Sequence, residues 1–140
     1  MKVLFSRSVF DLLMKEGGCS RDMRAVLNLC QDKRIEGYIC SYYLPEAMEE
    51  LEKDSFRQLL SVVSSLLNLV HVNARDLRDA MHYRDMEAGI CCTLAKRHKI
   101  QCVLVDKKKA KVDSTIKLCT PKELRRMIED GKTAKQRRNL

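Results

Sequence analysis

No apolar run in the 140-residue sequence approaches the roughly 18 residues that a membrane-spanning helix needs. The start of the chain has one lysine, a four-residue apolar stretch and then Arg7 and Asp11, too short a core for a secretory signal. A cytoplasmic protein with no membrane partner is expected. Glycine and proline are scarce, 5 and 2 residues, while 45% of the chain is apolar and 33% charged. That balance excludes a disordered or low-complexity chain and fits one globular domain with one core. No Cys-x-x-Cys pair occurs among Cys19, Cys30, Cys40, Cys91, Cys92, Cys102 and Cys119, so the usual zinc-ligand spacing is missing. The number is odd, and a chain with this much Leu, Val and Ile has no need of a disulfide framework. Most of the thiols are therefore expected to be buried small apolar side chains. Cys91 and Cys92 are adjacent, so on a helix they point about 100° apart, and no His-plus-acid pattern marks either as a catalytic nucleophile.

Charge is abundant but unevenly placed. Residues 131–140 carry Lys132, Lys135, Arg137 and Arg138, a local +4. Residues 106–111 carry Lys107, Lys108, Lys109 and Lys111 against Asp106, a local +3. The two stretches hold seven of the eight excess charges. Such clustering points to an anionic partner, most simply nucleic acid, unless the two are only a solvated loop and a solvated tail.

The opening stretch organises the rest. Lys2 to Phe5 read as a strand, Ser6-Arg7-Ser8 as a tight turn, and Val9, Phe10, Leu12 and Leu13 as the inner face of a helix over residues 9–16 ended by Gly17 and Gly18. A first strand of this kind sits mid-sheet in an open α/β fold, with ligands beyond its carboxyl end. Further strands are expected at 37–41, 69–72, 101–105 and 116–119. Helices are expected at 21–32 behind Ser20, at 42–51, from a cap at Asp54 or Ser55 through Leu67, behind Asn73, at 85–98, and from Thr120-Pro121 to about Gly131. Strands alternating with helices imply a parallel sheet covered on both faces.

Four phrases stand out in this series: Lys2-Val3-Leu4-Phe5-Ser6-Arg7-Ser8-Val9; Ser41-Tyr42-Tyr43-Leu44-Pro45-Glu46; Asp85-Met86-Glu87-Ala88-Gly89-Ile90; and residues 103–111 followed by 116–121. In this order and spacing they resemble the PIN domain family, whose members include the toxin ribonucleases of toxin–antitoxin modules and nucleases of RNA processing. The resemblance implies a three-layer α/β/α sandwich with a central, mainly parallel, Rossmann-like sheet over residues 1–130, and leaves 131–140 as a basic, flexible tail. It also implies a cleft where three or four carboxylates hold Mg²⁺ or Mn²⁺, which activates water and stabilises phosphoryl transfer.

The family's acids do not carry over with its fold. Ser6 stands at the first acidic position and Ser8 at the nearby Asn position; Ala88 stands at the third, and Lys107 or Lys108 at the fourth. Glu46 alone matches. Asp85 lies one helical turn before Ala88, and Asp106 lies one or two residues from the fourth position, so a rebuilt metal site of Glu46, Asp85 and Asp106 is conceivable; Asp11 reaches it only if it faces the turn. Otherwise no catalytic residue is assigned in the residual cleft of Ser6, Ser8, Glu46, Asp85, Ala88 and Asp106, and no metal or cofactor is expected. Arg7, Lys107, Lys108, Lys109 and Lys111, with the tail cations Lys132, Lys135, Arg137 and Arg138, would then meet RNA phosphates directly. Glu46, left beside cations, should pair with Arg7 or Lys107. Tyr42, Tyr43 and Tyr83 lie near the motif ends, where packing is the expected role and base stacking the alternative. The leading reading is a degenerate PIN-like domain in RNA binding or regulation. Its rivals are a Mg²⁺- or Mn²⁺-dependent endoribonuclease with a rebuilt site, and a protein-interaction module, as a homodimer or as one partner of a toxin–antitoxin-like pair.

Overall fold

The computed structural model describes residues 1–14, 20–107 and 116–138, with the backbone alone for 132–138. Val3, Leu4 and Phe5 are fully buried, a state open to a strand only when both faces of its sheet are covered. They form β1 (Lys2–Phe5), which pairs in parallel with β2 (Glu36–Cys40) on one side and β4 (Cys102–Leu104) on the other. Beyond them lie β3 (Leu67–Val70) and β5 (Lys117–Cys119), in the order β3-β2-β1-β4-β5 with every pair parallel.

Parallel neighbours need crossovers, and helices supply three of them. α1 (Arg7–Met14) and α2 (Arg21–Gln31) lead from β1 to β2, α3 (Tyr43–Glu50) and α4 (Lys53–Leu66) from β2 to β3, and α5 (Ala74–Ala80) and α6 (Met86–Arg97) from β3 to β4. α7 (Pro121–Arg138) follows β5. The result is the three-layer α/β/α sandwich expected from the alternation. The chain winds one way from β1 to β3 and then returns beside β1 as β4, so the switch point, where open sheets of this kind form their crevice, lies at the carboxyl ends of β1 and β4.

Local chemistry explains several helix starts. Ser20 Oγ accepts from Met23 N at 3.2 Å and starts α2. Asn73 and Asp76 form a reciprocal capping box on α5. The Thr120 and Glu123 side chains do the same on α7, at 3.3 and 3.4 Å. Several boundaries differ from the sequence expectation. Arg7 is already helical, so the turn after β1 is Ser6 alone, whose carbonyl accepts from Phe10 N at 3.0 Å. α4 starts behind Glu52, not Asp54 or Ser55, and no side chain caps it.

Leu67 belongs to β3, not to α4, because it pairs with Gly37. A Cβ at Gly37 would lie 2.5 Å from Leu67 Cδ2, so the leucine occupies the space that glycine leaves free. α7 runs through Gly131 to Arg138, past the expected end. Lys, Ala, Gln and Arg are strong helix formers, and one glycine, unfavourable by about 1 kcal/mol relative to alanine, does not stop the run. The predicted Gly17-Gly18 stop, Cys19, Lys108, Lys109 and Lys111 lie outside the described residues. The other six cysteines are buried, as expected.

α6 sits unusually close to α5. A Cβ at Gly89 would lie 2.7 Å from the Ala80 carbonyl oxygen and 2.9 Å from Tyr83 Cβ. Alanine normally favours a helix over glycine by about 1 kcal/mol, but here it meets backbone that cannot rotate away. Gly89→Ala is therefore expected to destabilise by about 1–3 kcal/mol. A urea midpoint equal to or above the parent's would show that the two helices part freely.

Candidate functional site

A cavity of about 310 Å³ opens at the switch point. Its mouth is formed by Ser6, Arg7 and Ser8 at the start of α1, by Asp85 and Glu87 at the start of α6, and by Asp106 and Lys107 after β4. Its walls are Ala88, Cys91 and Cys92 of α6, with Val103, Val105, Ile116 and Leu118 from around β4 and β5. The fold thus gathers most of the predicted cleft in one place. Glu46 does not line the cavity. It forms an ion pair with Arg7, one of the two partners expected for it.

The mouth is held by short contacts between elements. Ser6 Oγ and Ser8 Oγ share a hydrogen bond at 3.0 Å, and Ser8 Oγ accepts from Asp106 N at 3.3 Å. Ser6 N donates to Leu104 O at 3.0 Å. The two serines therefore bind the turn after β1 to the segment after β4. Arg7 is fixed twice, by Glu46 and by the Tyr43 ring, whose centroid is 5.8 Å from its guanidinium carbon.

Glu87 is the acid that sequence reasoning passed over. Tyr42 Oη donates to both of its carboxylate oxygens, at 2.9 and 2.8 Å, and Tyr43 Oη donates to Oε1 at 2.5 Å. The Tyr43 ring is buried and packs against Phe10 and Tyr42, with centroids 5.4 and 4.7 Å away. Burial, then the bonded Glu87 carboxylate, pushes the Tyr42 phenol far up; burial, then the nearby Cys91 and Cys40 thiols, does so for Tyr43. Both phenols stay protonated as donors, so neither tyrosine is the open stacking platform considered from sequence. The available signal was the Tyr42-Tyr43 pair inside one motif and Glu87 inside another. Tyr83 packs beneath Gly89, and its hydroxyl accepts from Lys96 Nζ at 3.2 Å.

Asp85 is a cap. Its Oδ1 accepts from Glu87 N and Ala88 N, at 3.0 and 3.3 Å. Asp11 is exposed and does not line the cavity; partial burial raises its carboxyl above its ordinary value, Arg7 opposes the rise, and Glu50, Asp106 and Glu87 add to it. Burial, reinforced by Cys40, pushes the Cys91 thiol up and disfavours the thiolate that a nucleophile needs.

Hard divalent ions take several carboxylate oxygens together. Here Glu46 is held by Arg7, Glu87 by two phenols and Asp85 Oδ1 by a helix start. Among the described residues, no three His, Cys, Asp or Glu side chains gather as a ligand set. These engaged oxygens do not form the open carboxylate set that Mg²⁺ or Mn²⁺ takes. The tail cations Lys132, Lys135, Arg137 and Arg138 are carried on the last turns of α7.

A parallel five-stranded sheet with its crevice beside β1 and β4 gives the chain a PIN-like fold. Among solved structures, it is similar to VapBC2 from Rickettsia felis, determined bound to a DNA fragment from its promoter: 12% identity, TM-score 0.65, over 86% of this chain and 98% of that one. It is also similar to VapC20 from Mycobacterium tuberculosis, described as a sarcin–ricin loop cleaving toxin: 11% identity, TM-score 0.54, over 79% of this chain and 92% of that one. At such identities the likeness shows the fold alone. No family model and no curated protein matches the sequence. No helix among the described residues is long and apolar enough to cross a membrane.

Proposed function

We propose that this chain is a degenerate PIN-like domain that binds RNA, in a binding or regulatory role, and has lost metal-dependent cleavage. The observation that carries the reading is where the acids' bonds go. Glu46, the one acid that matches the family, is bound to Arg7, and Glu87 is bound to Tyr42 and Tyr43. Ser6 and Ala88 line the cavity where the resemblance has acids, and Lys107 stands at its mouth. A site built this way meets phosphate through cations, without an ion between. Lys107, Lys108, Lys109 and Lys111 supply one basic stretch, and Lys132, Lys135, Arg137 and Arg138 a second. The similar structures add support from the fold side, since one was determined bound to a promoter DNA fragment and the other is described as a sarcin–ricin loop cleaving toxin.

A metal-dependent endoribonuclease is the second reading. One observation favours it: Asp85, Glu87 and Asp106 line the same cavity.

The deciding experiment is a salt titration of binding to short single-stranded RNAs. It compares the intact chain, the Lys107/Lys108/Lys109→Ala triple variant, and a chain without residues 131–140. Each lost phosphate contact should flatten the log–log salt slope by about 0.7. The triple variant should weaken unrelated sequences alike, because phosphates carry no base identity. The same RNAs should stay intact with Mn²⁺. Cleavage that Glu87→Gln abolishes would establish the second reading. Equal slopes for all three chains, or no binding near physiological salt, would sink the first and leave a protein-interaction module.

A further inference from the structure

We infer that the cavity at the switch point receives one unpaired guanine base of the bound RNA. This rests on the RNA-binding reading above and assigns the cavity an occupant.

The shape comes first. At about 310 Å³ the cavity stands at the small end of ligand pockets, which run from roughly 300 to 1,000 Å³. That is room for a planar base. Its apolar lining comes from Ala88, Cys91 and Cys92 of α6 and from Val103, Val105 and Leu118 on the sheet side. Cys91 is neutral because burial holds its proton. Ala88 sets the depth, since the resemblance has an acid at this position and alanine leaves that volume open. Walls of this kind suit the faces of an extruded base, which proteins hold between apolar side chains.

The mouth decides which base. It carries carboxylates beside cations, and a carboxylate only accepts. Among the described residues, the Asp106 carboxylate takes no hydrogen bond, and Asp85 has Oδ2 left after Oδ1 is used in the cap. Guanine alone offers two adjacent donors, N1–H and N2–H, to one carboxylate. Adenine and cytosine set their amino group beside an acceptor, and uracil flanks its N3–H with two carbonyl oxygens that a carboxylate repels. The nucleotide's phosphate meets Lys107 at the same mouth. Phosphate contact and base contact are thus served by neighbouring groups, and only the second reads identity.

The test uses the full chain and short oligouridines whose central position is guanosine, uridine or an abasic ribose. The guanosine oligomer should bind about tenfold tighter than the abasic one, the scale of burying one ring against apolar side chains, and tighter than the uridine one. Ala88→Leu keeps a strong helix former in α6 and fills the cavity. It should bring the guanosine oligomer down to the affinity of the abasic one, with a cooperative melting transition showing that the variant folds. Asp106→Asn should level guanosine with uridine. Equal binding of guanosine and abasic oligomers by the parent would overturn base insertion while RNA binding stands. Guanosine no tighter than uridine in the parent would overturn the guanine assignment. A chain that binds none of the three fails the RNA reading, and this inference with it.

Discussion

Replacing Arg97 by alanine is expected to lower the unfolding free energy by about 2–4 kcal/mol and the melting temperature by roughly 6–15 °C. Arg97 grips Asp76 with two bonds, Nε to Oδ1 at 3.0 Å and Nη2 to Oδ2 at 2.8 Å, and Nη2 also donates to His71 O at 2.7 Å. The Asp76 side chain is 3% exposed and the Arg97 side chain 39%. Removing the cation leaves a buried carboxylate whose remaining donor is Asn73 N. Breaking a buried pair from one side costs about 3–5 kcal/mol. The estimate is set lower because Arg97 is partly in water, and solvent can take its place. Lysine should rescue little, since it lacks the planar fork that spans both oxygens. The consequence reaches the site, because Arg97 ties the far end of α6 to α5 while the near end of α6 carries Asp85, Glu87 and Ala88. Urea unfolding of Arg97→Ala, Asp76→Asn and the double variant would measure the coupling. A loss under 1 kcal/mol for Arg97→Ala would show that the pair is a surface contact.

Legibility in the sequence followed the range of the interaction. Strand β1, its central place and the parallel sheet were readable, because Val3, Leu4 and Phe5 form an unbroken apolar run directly before a helix. The caps at Ser20, Asn73 and Thr120 were readable because their partners lie three residues away. Leu67 was not, since helix periodicity runs through it and only the space at Gly37, 30 residues earlier, draws it into β3. The Arg7–Glu46 pair was legible from the motif alignment alone. The clamp on Glu87 was not, because it joins residues 44 and 45 apart and depends on how α3 meets α6. The lining of one cavity by Ala88, Val103 and Leu118 was likewise invisible, since no periodicity reports which apolar faces leave a gap.

The second large effect is expected at alkaline pH, where the fold should lose stability steeply above pH 9. Burial raises the Cys30 thiol from an ordinary 9.0 to about 11 and the Cys40 thiol to about 12. Cys91 and Tyr43 move the same way, also through burial first. In the unfolded chain these thiols ionise as the pH passes 9.0, while in the folded chain they keep their protons. The folded state then binds more protons than the unfolded one, so stability falls as the pH rises. The full contribution is present below pH 9.0 and is lost towards about 11 for Cys30 and about 12 for Cys40. Each such group removes about 1.4 kcal/mol per pH unit inside its window. Cys30 and Cys40 alone therefore account for on the order of 5 kcal/mol by pH 11, comparable to the whole stability of many domains. Urea unfolding between pH 7.5 and 10.5, with a phosphine reductant to keep the thiols free, would follow the decline. Cys40→Ala should start somewhat less stable but fall less steeply, by about 1.4 kcal/mol per pH unit, because one proton no longer distinguishes the two states. A midpoint that stays level to pH 10.5, or a Cys40→Ala slope equal to the parent's, would mean that these thiols reach solvent and that the core between β2 and α6 is looser than described.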